Sequence, residues 1–82
     1  MKITDPKTLS NYLRNERKTL GLSQAKVADL VGLRQGTVSK FESAPDKMQL
    51  DTLFRLLSAL ELELYVRPKE SKNKNNKWTE DW

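Results

Sequence analysis

Apolar residues recur every three or four positions over the first sixty residues of this chain, then switch to every second position before they stop. The first run sets Leu9, Tyr12, Leu13 and Leu20 on one side of a helix, and Arg17 falls on that side too. Thr4 or Asp5 can cap this helix, Pro6 suits its first turn, and Gly21 ends it. Ser23 reads as the cap of a second helix over 24–31, whose inward face is Val27, Ala28 and Val31. Gly32 supplies the next break. A third helix, about 35–43, turns Val38 and Phe41 inward and leaves Gln35, Gly36, Ser39 and Lys40 outward. Pro45 and Asp46 mark residues 44–49 as a turn. Residues 50–60 read LDTLFRLLSAL, which predicts a fourth amphipathic helix carrying Leu50, Leu53, Leu56, Leu57 and Leu60.

The period then becomes two. Residues 61–67, ELELYVR, predict a strand with Leu62, Leu64 and Val66 on one face, stopped by Pro68. A lone strand leaves its N–H and C=O groups without a ladder, and no second strand-like run is present. The economical partner is the same strand of a second copy, antiparallel across a two-fold axis. The alternative is that the segment prolongs the helix or lies unpaired. Residues 68–82, PKESKNKNNKWTEDW, hold Trp78 and Trp82 as their only large apolar groups and read as a flexible tail. The expected organisation is a folded unit over 1–67 followed by that tail over 68–82.

Composition narrows the chemistry. With 82 residues the chain has room for one small core. It contains no Cys and no His, which removes disulfide frameworks, zinc sites, thiol nucleophiles and imidazole acid–base work. No phosphate-cradling glycine loop is present either, so neither an enzyme, a metal, a cofactor nor a small-molecule ligand is expected. Fifteen Lys and Arg against eleven Asp and Glu give a net charge of +4, which admits nucleic acid as a partner. No apolar run is long enough for a bilayer and no signal-peptide core follows Met1, so the expected location is the cytoplasm.

Two short helices separated by Gly32, the second exposing Gln, Ser and Lys, fit a helix-turn-helix. Residues 21–42, GLSQAKVADLVGLRQGTVSKFE, resemble that motif of the phage-repressor and Cro superfamily, the xenobiotic-response-element family. The resemblance runs from about Leu9 to Leu60 and rests on Leu22-Ser23-Gln24, Ala28, Gly32, Thr37-Val38-Ser39 and Glu42 together. It implies an all-α, lambda-repressor-like bundle, here of four helices; together with the strand read above, the expected fold is that bundle plus one C-terminal β-strand pairing across a homodimer. In that geometry the third helix enters the major groove and the second crosses the backbone. By resemblance Arg34, Gln35, Gly36, Thr37, Ser39 and Lys40 approach the DNA. Gln35 can pair with adenine, while Arg34 or Lys40 can donate to guanine. Ser23 and Gln24 suit a phosphate oxygen, and Lys26 and Thr37 are further backbone contacts. Gln24 could instead support Gln35, Ser39 could be a solvated hydroxyl, and Arg34 could touch phosphate alone.

Arg17, on the apolar side of its helix, would be costly unpaired. In the resembled family it pairs with the Glu that ends the third helix, which implies an internal Arg17–Glu42 ion pair. The strand and tail after Leu60 narrow the resemblance to the HipB-type antitoxins, homodimers that bind palindromic operators and accompany HipA-type kinase toxins. Their terminal Trp matches Trp82, which implies that Trp82, with Trp78, docks on such a partner; folding back on this domain is the competing reading. The function implied is a nucleoid-associated repressor and antitoxin. Alternatives are a free-standing regulator of the same fold, or an adaptor that no longer reads DNA. The absence of acidic residues from Arg34 to Phe41 speaks against the adaptor.

Overall fold

The computed structural model describes residues 2–69. In these, α1 (Pro6–Thr19), α2 (Gln24–Leu30), α3 (Gln35–Ser43) and α4 (Leu50–Ala59) follow one another, with a 3-10 turn at Pro45–Lys47 before α4. Asp5 caps α1, its carboxylate accepting the Thr8 N–H at 2.7 Å, and Pro6 opens the first turn. Leu13, Val27, Ala28, Val38, Phe41, Leu56, Leu57 and Leu60 form the buried core, one contribution or more from each helix and from the cap of α4. Each Leu, Val or Phe of this set removed from water contributes about 1.5–3 kcal/mol, which ties the four short helices together.

Three helices end in the same way. After α1, the Gly21 N–H bonds the Lys18 carbonyl and the Leu22 N–H bonds that of Arg17, each at 3.0 Å. After α2, the Leu33 N–H reaches the Ala28 carbonyl at 2.8 Å. After α4, the Glu61 N–H bonds Ser58 at 3.0 Å and the Leu62 N–H bonds Leu57 at 2.8 Å. These Schellman-type closures need a left-handed residue, and Gly21 (φ 73°), Gly32 (φ 70°) and Glu61 (φ 59°) supply it. At Glu61 the conformation is strained, because a Cβ crowds the carbonyl there.

Several expectations need correction. Leu20 is 50% exposed because it follows the last residue of α1 and overhangs the helix end. Leu50 is 66% exposed because it is the first residue of α4 and projects past the core. Val31 is the cap of α2 and only half-buried. The segment after α4 does not prolong that helix. Within a single copy no strand is formed among the described residues, and Glu61, the first residue of the expected strand, is left-handed. Residues 62–69 lie without helix or ladder: Leu62 packs against the core, while Leu64, Tyr65 and Val66 are exposed. Trp78, Trp82 and the rest of the expected tail from residue 70 lie outside the described residues. No helix among the described residues is long and apolar enough to cross a membrane.

Candidate nucleic-acid interface

The α2–turn–α3 unit is built from both ends. Ser23 starts α2 by accepting the Lys26 N–H on its hydroxyl oxygen at 3.0 Å, which leaves its own O–H proton to donate. Gly32 then takes the left-handed turn, and Val38 and Phe41, 1% and 3% exposed, anchor the inner side of α3. Burying those two fixes the helix's rotation. Arg34, Gln35, Gly36, Ser39 and Lys40 are therefore exposed, and Thr37 is half-buried beside them. Lys26 is exposed on α2.

Arg34 occupies the N-cap of α3 in an extended conformation, and its side chain makes no capping bond. Its guanidinium is thus not consumed by the helix it begins. Gly36 sits in the first turn of α3, and a Cβ added there would meet no atom within 4 Å. Nothing inside the protein requires glycine at this position, although it lowers helix propensity by roughly 1 kcal/mol relative to alanine. The space is kept clear on the outside.

Behind this surface lies a charged network. Arg17 Nε donates to Glu42 Oε2 at 2.7 Å and Nη2 to Oε1 at 3.0 Å, a two-pronged pair. Arg17 Nη1 donates to the Leu22 carbonyl at 2.9 Å, and Gln24 Nε2 donates to Glu42 Oε1 at 2.9 Å. The Glu42 carboxylate joins the end of α1, the start of α2 and the end of α3, and the Arg17 guanidinium ties in the loop at Leu22. Gln24 supports Glu42 rather than Gln35, and its amide keeps a second proton to donate. Burial pushes the Glu42 carboxyl up, but the hydrogen bonds from Arg17 and Gln24, with the charges of Arg17 and Arg14, outweigh it and hold the group below its ordinary value.

One residue of this region carries no sequence signal. Arg55 on α4 donates from Nη1 to the Val31 carbonyl at 3.4 Å, just where Gly32 leaves α2, and lies 3.8 Å from Asp51. In the sequence it is only an i, i+4 surface pair. Among the described residues no cluster of His, Cys, Asp or Glu could hold a metal ion.

A helix-turn-helix family model matches residues 13–66. Antitoxin HipB of Escherichia coli (strain K12) is 32% identical over 83 residues, covering 94% of each chain. The HipB fold in the HipA-HipB-O2-O3 complex superposes with a TM-score of 0.84 at 34% identity, covering 85% of this chain and 99% of that one. A HipB-O4 20mer complex gives the same TM-score, identity and coverage.

Proposed function

This chain belongs to the HipB-type antitoxins of the helix-turn-helix family, and from that premise we propose that it is a dimeric, sequence-specific DNA-binding repressor and the antitoxin of a HipA-like kinase. The observation that carries this reading is the outer face of α3. Arg34, Gln35, Ser39 and Lys40 stand exposed around an unfilled Gly36, with no acidic side chain among them. In the major groove, Gln35 would read adenine and Arg34 or Lys40 guanine. Ser23, Gln24, Lys26 and Thr37 would hold phosphates, fixing the register in which those bases are met. Arg17 and Glu42 have an architectural role. The chain acts by binding and not by catalysis, on DNA in the cytoplasm.

Residues 1–67 make the DNA-binding and dimerisation unit. Leu62, Leu64 and Val66 serve the dimer, in which two reading helices about 34 Å apart meet the halves of an inverted repeat. Support for a second copy comes from the apolar groups left bare: Leu50, Phe54, Leu64, Tyr65 and Val66 are each at least 47% exposed. Trp82, with Trp78, is assigned to the kinase. In-vitro selection from random duplexes should return a palindrome, and removing residues 81–82 should weaken capture of a HipA-like kinase without changing operator affinity. Recovery of no common sequence would overturn the DNA reading. Undiminished kinase capture would overturn the role of Trp82, and no capture by the intact chain would favour a free-standing regulator.

A further inference from the structure

Resting on the DNA reading, we propose that Arg14 and Lys18 on α1 form a further backbone site, which holds the phosphates next to those met by Ser23 and Gln24. At about 100° per residue, Lys7, Asn11, Arg14 and Lys18 fall within about 60° of one another around α1, and all four are exposed. Glu16, the acidic residue inside α1, lies on the opposite side. The stripe therefore carries a single sign of charge.

Its C-terminal half borders the network behind the reading helix. Arg17, one turn on from Arg14, gives its guanidinium to Glu42, which also accepts the Gln24 amide at 2.9 Å from the start of α2. The charge of Arg14 acts on that same carboxylate. Lys18 stands where the chain leaves α1 for α2, its carbonyl accepting the Gly21 N–H at 3.0 Å two residues before Ser23. Both cations are thus beside the hydroxyl and amide assigned to phosphate.

Their charge is not spent inside the protein. Arg17 already balances Glu42, and neither Arg14 nor Lys18 has an ion pair within 4.0 Å among the described residues. Lys7, at the other end of the stripe, differs: it lines a cleft with Asp5 and Asp46, which offset its field. Lys18 in the last turn favours the helix dipole, but that role does not require a second cation four residues earlier on the same face. Like charges so spaced repel and weaken a helix, a cost that an anion lying across the pair removes. The rise of α1 sets Lys18 about 6 Å beyond Arg14, and one strand of a duplex presents a phosphate per about 3.4 Å of its axis. The pair can meet neighbouring phosphates of one strand, a contact blind to base identity.

The test uses the full-length chain and its selected operator. Arg14→Gln combined with Lys18→Gln should lower the slope of log affinity against log salt by roughly three to four in a dimer, at about 0.9 per phosphate. Operator and scrambled duplex should weaken by the same factor, at least about tenfold at low salt, while Lys7→Gln leaves the slope unchanged. Operators carrying one uncharged methylphosphonate then locate the site: substitution next to the phosphates whose effect Ser23→Ala removes should weaken the wild type and not the double variant. Should the double variant fail to fold, each single variant should give about half the change in slope. A slope that stays at the wild-type value, or that Lys7→Gln lowers equally, overturns this site and leaves the reading helix standing. A wild-type chain indifferent to every duplex overturns the DNA reading beneath it.

Discussion

Arg17 keeps a full charge at a site where only 10% of its side chain meets solvent. It is tolerated because Glu42 answers it with two hydrogen bonds and the Leu22 carbonyl with a third. Removing one partner strands the other, so Glu42→Gln should destabilise the fold by about 3 kcal/mol in urea melts at neutral pH. The sign of the pH dependence follows from the depressed Glu42 pKa. Its contribution is complete above the ordinary value of 4.5 and is lost as pH falls through the lower folded-state value. The gap between wild type and Glu42→Gln should therefore close in melts carried out at progressively more acidic pH. A gap of constant size would assign the loss to packing.

At the scale of the element, α3 faces two demands. Its inner side needs Val38 and Phe41, and on the proposed reading its outer side, open around Gly36, meets a duplex. Gly36→Ala separates the two, because a methyl group meets nothing inside the protein. The variant should be more stable by about 0.5–1 kcal/mol and should bind its selected operator more weakly, read by thermal melts and fluorescence anisotropy. Lys40→Ala should cost roughly 1–3 kcal/mol per half-site and relax one base position, whereas Lys26→Ala should weaken all sequences alike. Anisotropy titrations against operator and scrambled duplexes distinguish these outcomes. The helix ends tell a related story: two of the three Schellman closures carry glycine and were legible as breaks, while the third carries Glu61 and was not. Alternation from residue 61 looked like a strand from its first residue, because a period of two records side-chain faces and says nothing about the sign of φ.

For the whole molecule, the core is small and most of the bare apolar surface among the described residues, Leu50, Phe54, Leu64, Tyr65 and Val66, lies on α4 and the segment that follows it, with Leu20 and Leu30 bare elsewhere. A second copy covering it would couple folding to association. The midpoint of thermal unfolding should then rise with protein concentration, and operator affinity should fall steeply with salt because each subunit displaces several counterions. A midpoint independent of concentration over a hundredfold range would show that the monomer is stable alone. A chain this short leaves roughly 40% of its surface unburied even when folded, so a partner subunit is a natural means of gaining further burial.

Periodicity, caps and turn residues act over a few positions, and they sufficed for four helices, the turn at Gly32 and the exposed stripe from Arg34 to Lys40. They also showed that Arg17, on the apolar side of α1, required a partner. What they could not supply was the placement of groups far apart in the chain. Gln24 reaching Glu42, Arg55 reaching the Val31 carbonyl, and Leu20 and Leu50 overhanging their helix ends all depend on where one helix lies against another. Such contacts have no local pattern, because they form only once burial of the core has set the helices side by side.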